Sequence, residues 1–285
     1  MKTIILASWV SLGLLFFESA KAQLRLHVGA TSALNASFVL DEGLSKDPRY
    51  NSTMTYKFAP VGLAVGLDLT PSFGLSLESI YARQGQVFEI IGQVNNVATQ
   101  VGERNISLNY LQLPFLLNFL GRSDARTRAN FMVGPQFSFL TKGVETYQQT
   151  QTATFTLPEG AELPDGATNY NAQTRTYTLA ANTQTIASTE NTNPNNPIES
   201  FKQAQFGLAA ALGLNVDLGR FIYLSGQIRA NYSITDMRNE AFVQQIRNGN
   251  TGDIFGRRAN LLVGVQLGVH VMFGGTRFND QMRVK

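Results

Sequence analysis

The chain has 285 residues, no cysteine and a formal net charge of +3. The missing cysteine excludes disulfide scaffolds and thiolate chemistry, and Lys and Arg are scattered without a basic run, which argues against a nucleic-acid partner despite a pI near 9.2. Only 15% of residues are charged, against roughly 25% in soluble domains, a deficit that suits a protein whose outer wall faces lipid.

The first element is a targeting segment. Lys2 precedes a short apolar core from Ile4 to Phe17, and Ala20-Lys21-Ala22 forms an A-x-A cleavage site. Residues 1–22 therefore read as a cleaved signal peptide, with the mature chain starting at Gln23. A retained anchor helix is the competing reading, but the core falls short of the ~20 residues a spanning helix needs. No later apolar run is long enough either. The remainder is thus soluble or crosses a membrane as a closed barrel, since only helices and barrels satisfy every backbone group in lipid.

The strands follow in order, each recognised by a period of two. The first runs from Leu24 to Leu34, with Arg25 and His27 on the face opposite Leu24, Leu26 and Val28. Asn35 to Thr55 reads as a polar loop. The second, Tyr56 to Leu69, sets Val61, Leu63, Val65 and Leu67 against Pro60, Gly62, Ala64, Gly66 and Asp68, and a tight turn follows at Thr70-Pro71-Ser72. The third, Phe73 to about Val87, carries Glu78 opposite Leu75, Leu77 and Tyr81. Glu89 to Arg104 reads as a polar loop. The fourth, Ile106 to Leu120, places Tyr110, Gln112, Pro114 and Asn118 opposite an apolar row, and Pro114 predicts a bulge.

The fifth strand, Ala129 to Thr141, sets Phe131, Val133, Phe137 and Phe139 against Asn130, Gly134, Gln136 and Ser138. A long Thr/Asn/Gln-rich stretch follows, residues 142–200, in which Gln151 to Leu157 and Thr174 to Leu179 could pair as a projecting hairpin. The sixth strand is Phe201 to Leu218. The seventh, Phe221 to Ile234, has the clearest polar face: Tyr223, Ser225, Gln227, Arg229, Asn231 and Ser233. Thr235 to Gly256 reads as a loop. The eighth, Asn260 to Phe273, is well beyond the usual ~5–6 residues and presents Gln266 and His270 opposite an unbroken apolar face. Residues 275–285 form a short polar tail.

Eight strands with alternating long and short connections match an outer-membrane barrel with long extracellular loops and short periplasmic turns. Phe73, Phe119, Phe131, Phe221 and Phe273 all flank the short turns, as an aromatic girdle would. A soluble secreted barrel with its apolar face inward is the rival. Its exterior would carry Lys, Glu and Thr, whereas the non-apolar face here is mostly Gly, Ala, Ser, Asn and Gln. The predicted fold is therefore an all-β, eight-stranded antiparallel up-and-down transmembrane barrel over residues 23–274, in the outer membrane of a Gram-negative bacterium. Its outer surface contacts outer-membrane lipid. A barrel of this size is filled by its own side chains.

The segments Glu78-Ser79-Ile80-Tyr81 with Gly85, Tyr110-Leu111-Gln112-Leu113-Pro114, Gly134-Pro135-Gln136 and the closing Val271-Met272-Phe273-Gly274 resemble the PorT-like outer-membrane β-barrel family of Bacteroidetes, over nearly the whole mature chain. The resemblance implies an eight-stranded barrel and no defined activity. The family's namesake serves a protein secretion and gliding apparatus, which makes an accessory role in secretion one expectation.

The inward positions predict a lumen polar network of Arg25, His27, Asp68, Glu78, Gln112, Gln136, Gln227, Arg229, Asn231, Gln266 and His270. Glu78 and Arg229 can meet bidentately across a narrow barrel, although Arg25, Asp68 or Asp217 could supply other partners. His27 and His270 lie on the two strands that close the barrel. Two histidines without a third ligand are a weak zinc set, and no G-x-S-x-G or phosphate-cradling motif accompanies them. The expectation is a monomeric barrel that is not an enzyme and has no cofactor. It would act through its loops, above all residues 142–200, in adhesion, docking of an extracellular or envelope protein, or envelope integrity. A narrow pore or transporter for a small solute is the alternative.

Overall fold

A computed structural model describes residues 24–121, 126–189, 199–219, 221–249 and 251–273. The expected signal peptide and cleavage site, Gly274 and the expected polar tail lie outside these residues.

Among the described residues there are thirteen strands. They are β1 (Arg25–Asp41), β2 (Tyr50–Thr53), β3 (Thr55–Asp68), β4 (Phe73–Val94), β5 (Val97–Leu120), β6 (Thr127–Gln149), β7 (Ala153–Thr156), β8 (Thr168–Asn171), β9 (Thr176–Leu179), β10 (Asn182–Ser188), β11 (Ala204–Asp217), β12 (Ile222–Ser233) and β13 (Arg258–Phe273). One helix, α1 (Glu240–Arg247), lies in the last long connection. Antiparallel pairing runs β1–β3–β4–β5–β6–β11–β12–β13, and β13 returns to β1 from Leu26↔Phe273 to Asp41↔Arg258. The result is a ring of eight strands, closed except for an open seam where the β3–β4 ladder stops above Gly62↔Ile80.

Period-two patterning explains the wall. On β13, Val263, Val265, Leu267, Val269, Val271 and Phe273 are exposed, while Gln266, His270 and Met272 are buried. The same alternation holds around the ring, so the apolar side chains point outward to lipid and the polar ones inward. The phenylalanine girdle is real: Phe73 and Phe119 have ring centroids 5.6 Å apart, and Phe119 and Phe131 stack at 6.1 Å. Phe221 and Phe273 are exposed beside the same short turns.

The structure departs from the sequence reading mainly above the membrane. Glu89–Arg104 is not a loop. β4 and β5 continue to a two-residue turn at Asn95-Asn96, both at positive φ (52° and 65°), with Val94 paired to Val97, the geometry a primed hairpin turn requires. Residues 35–55 largely belong to strands as well, because β1 extends to Asp41 and β2 pairs with β4. The described part of residues 142–200 forms strands where the sequence predicts a loop. β6 runs on to Gln149, β10 pairs back on it, and β7 pairs β9 from Ala153↔Leu179 to Thr156↔Thr176. That is the expected hairpin, but it lies against the raised wall through Gln93↔Thr154 instead of projecting. The connection 235–256 hides α1, capped by the Asn239 side chain accepting from the Ala241 amide at 3.0 Å.

Two proline readings also change. Pro60 is not on the lumen face. The β1–β3 register shifts between Thr31 and Ala33, and Pro60 and Val61 both point outward in that bulge. Pro114 faces the lumen and pairs with Gln136 without a shift. The irregularity lies at Asn109/Tyr110 instead.

Candidate functional site: a sealed lumen beneath an extracellular crown

The inward face of β5 reads out the interior from periplasm to cell exterior: Asn118, Leu116, Pro114, Gln112, Tyr110, Leu108, Ile106 and Arg104, all buried. Successive residues on this face mark successive layers.

The periplasmic layer is built around two imidazoles. Tyr223 stacks on His270 with centroids 4.5 Å apart, and its hydroxyl lies 3.0 Å from His27 Nδ1. His27 Nε2 is 3.6 Å from Asp68, and Arg128 is 3.6 Å from Asp217. The glycines opposite these rings are steric necessities. A Cβ on Gly66 would stand 2.0 Å from His27, and one on Gly29 would stand 2.2 Å from His270. Ser225 Oγ lies 2.9 Å from His270 Nε2. His270 Nδ1 has no hydrogen-bond partner among the described residues. The void bounded by His27, Asp68, Glu78, Asn118 and Arg128 measures about 30 Å³, room for a water or two where about 10–15 Å³ holds one.

The central layer holds the ion pair. Arg229 Nη1 donates to Glu78 Oε2 at 2.5 Å and to Gln266 Oε1 at 2.9 Å, and Arg229 Nε donates to Asn231 Oδ1 at 3.0 Å. Gln266 Nε2 donates to the same Glu78 oxygen at 3.2 Å. Asn231 Nδ2 donates to Gln136 Oε1 at 2.5 Å and to Gln112 Oε1 at 3.4 Å. Arg25, His27, Asp68, Glu78, Gln112, Gln136, Gln227, Arg229, Asn231, Gln266 and His270 are all buried inside the ring. Polar and ring contacts place nine of the eleven in two layers. His27, His270 and Asp68 gather at the periplasmic end, and Glu78, Arg229, Gln266, Asn231, Gln136 and Gln112 form one network across the middle.

Above them Gln205 Nε2 donates to the Tyr110 hydroxyl at 2.8 Å. Next comes an apolar layer of Val39, Phe88, Ile106, Leu108, Leu140, Phe201, Met237 and Phe242. Phe242 comes from α1 and Phe201 from the stretch before β11, so the extracellular connections fold inward as a stopper.

The top layer is a charged crown that the sequence reading missed. Arg258 donates to Asp41 and, at 2.6 Å, to Glu145. Arg104 donates to Glu145 at 2.7 Å and to Asp253 at 2.8 Å. Arg49 joins Asp47 at 2.5 Å and the Tyr177 hydroxyl at 2.8 Å. Glu145 is almost wholly buried. It stands about 36 Å above the Phe131 girdle, for strands rising ~3.4 Å per residue at ~40° tilt, which is outside the apolar band. Burial alone would raise its pKa, but the Arg258 and Arg104 guanidinium groups outweigh it and hold the carboxyl at about 2. The available signal was parity: Arg104 continues the inward row of Ile106, Leu108 and Tyr110. Beside the crown opens a cleft of about 550 Å³, lined in part by Tyr50, Tyr147, Gln149, Gln184 and Asp253, a size typical of ligand pockets.

An outward-apolar ring of eight strands around a packed polar interior defines an integral outer-membrane β-barrel. The outer membrane protein β-barrel domain family matches residues 18–239, and the chain belongs to that family and to the Gram-negative outer membrane. Similar solved structures include OprG of Pseudomonas aeruginosa (11% identity, 90% of this chain and 98% of that one, TM-score 0.36). Neisserial surface protein A is similar at 10% identity over 87% of this chain and 97% of that one, with a TM-score of 0.37. The protease OmpT of Escherichia coli is similar at 10% identity over 90% and 99%, with a TM-score of 0.38. No curated protein matches the chain.

Proposed function

We propose that the protein is a non-conducting, non-enzymatic barrel that anchors a rigid extracellular crown and works through that crown in adhesion or in docking an extracellular or envelope partner. One observation carries the reading: packed layers cross the lumen from the His27–His270 layer to the Phe201–Phe242 stopper, with about 30 Å³ left in the periplasmic void. The accessible space lies in the upper half: the crown with its 550 Å³ cleft, and a second cavity of about 530 Å³ bordered by Leu44, Gln86, Phe88 and Arg257. The resemblance to PorT-like proteins makes a secretion-system component one kind of envelope partner for this surface.

The test is single-channel recording of the folded protein in planar bilayers, with heat-modifiable migration confirming the fold. The expected result is no conductance steps. Steady, ion-selective steps would overturn the proposal in favour of a narrow solute pore.

A further inference from the structure

The cleft beside the crown lies above the lipid, and its lining sorts by chemistry. Part of it is the inward face of the β6–β10 pair. Asn182 pairs with Gln149 and Gln184 with Tyr147, so these four side chains share a face, and all four line the cleft. Tyr147 is held in place: its hydroxyl donates to Gln149 Oε1 at 2.8 Å, and Gln149 Nε2 donates to the carbonyls of Gln151 and Leu179 at 2.9 and 3.1 Å. The half-buried ring is therefore a fixed surface.

The charges of the cleft are mostly answered from within. Its charged side chains are two arginines and two aspartates, Arg49, Arg104, Asp165 and Asp253. Arg49 is engaged by Asp47 and Asp253, and Arg104 by Glu145 and Asp253. Both guanidinium groups also lie over the Tyr50 ring, 5.4 and 5.5 Å from its centroid. Asp165, on an exposed turn, has no ion-pair partner among the described residues, so an anion entering the cleft meets repulsion. The open groups are neutral. The Asn182 and Gln184 amides are exposed and make no side-chain hydrogen bond among the described residues, and each offers both donors and an acceptor. They stand about 6.8 Å apart, two residues at ~3.4 Å each. β6 and β10 bond to one another along this wall, which leaves recognition to the side chains. Leu179 and Ile246 add aliphatic surface.

We infer that the cleft is a binding site for a neutral oligosaccharide, with the C–H face of one sugar ring packed on Tyr147 and its hydroxyls held by Asn182 and Gln184. Fixed aromatic surface beside uncharged amides is the complement of a sugar, which is apolar on its faces and hydroxylated at its edge. The volume of about 550 Å³ is within the ~300–1,000 Å³ of small-molecule sites. The inference rests on the docking role proposed for the crown and names the chemistry recognised there.

Saturation-transfer NMR and calorimetric titration of the folded protein, in a zwitterionic detergent without a sugar headgroup, test this. The probes are maltotriose and triacetylchitotriose, with trigalacturonate as the charged comparison and tetra-alanine as an extended peptide. At least one neutral sugar is expected to bind with a Kd of about 1 mM or tighter, ahead of both comparisons, with saturation passing to its ring C–H protons. Tyr147→Ala should weaken it about tenfold and Gln184→Ala about fivefold. Tyr147→Phe, which keeps the ring, should retain most of the affinity. Lys46→Gln, at an exposed lysine outside the cleft, should change nothing. Heat-modifiable migration checks that each variant folds. Binding by neither neutral sugar, equal binding of trigalacturonate or tetra-alanine, or a folded Y147A/Q184A that binds like the wild type would each overturn the inference. A silent barrel that binds neither sugar refutes the inference and leaves the docking role standing, whereas conductance steps refute that role whatever the sugars do.

Discussion

Replacing Arg229 with methionine removes the charged centre of the lumen while keeping much of its bulk. The guanidinium is 4% exposed, as is its partner Glu78. It donates to Glu78, Gln266 and Asn231 at 2.5, 2.9 and 3.0 Å. Substitution strands the Glu78 carboxylate in a dry interior, and breaking a buried pair on one side costs about 3–5 kcal/mol. An exposed pair would cost at most about 1 kcal/mol. Glu78→Gln strands the opposite charge and should cost a similar amount. The double variant E78Q/R229M leaves no unpaired charge and should recover at least half of the loss, since neutral replacements of buried pairs are often tolerated. The assay is a urea titration in lipid vesicles, reading the fraction that migrates as folded without heating. Single variants within about 1 kcal/mol of wild type would refute the reasoning, because the pair would then behave as a hydrated one. E78Q/R229M should also stay electrically silent, because the Phe201–Phe242 stopper lies above the altered layer.

Two further outcomes follow from the upper half of the molecule. The folded-state pKa of Glu145 is depressed from 4.5 to about 2, so its contribution is fully present above about pH 4.5 and is lost as pH falls through about 2. Protection of crown amides around Arg104 and Glu145 against hydrogen exchange, taken relative to the intrinsic rate at each pH, should fall across that window in the wild type. In Glu145→Gln it should be lower already at neutral pH, and identical protection in the two proteins would contradict the assignment. At Gly85 an added Cβ would stand 1.9 Å from the Ile106 carbonyl oxygen, at a φ of 128°. Gly85→Ala should therefore destabilise the fold by about 1–3 kcal/mol in the same urea assay, and a neutral result would show that the β4 backbone at this position can relax.

The membrane-spanning wall was legible in the chain because lipid and lumen make opposite demands on alternate residues. Leu267 and Gln266 cannot exchange places, so each strand's faces, the girdle and the inward set from Arg25 to His270 follow from period two alone. Above the lipid that demand lapses. Both sides of the raised strands may carry polar groups, so Glu103, Arg104 and Asn105 look like loop although they continue β5, and the Asn95-Asn96 turn is the only local mark of the hairpin. Which inward groups bond was likewise beyond the sequence. Arg229 could equally have met Asp68 or Asp217, and strand register together with the barrel's stagger brings Glu78 to it. The crown, the stopper and the open seam depend on contacts between residues as far apart as Asp41 and Arg258 or Ser37 and Gly85. Sequence spacing carries no trace of such pairings, because only closure of the ring sets which strands become neighbours and at what height.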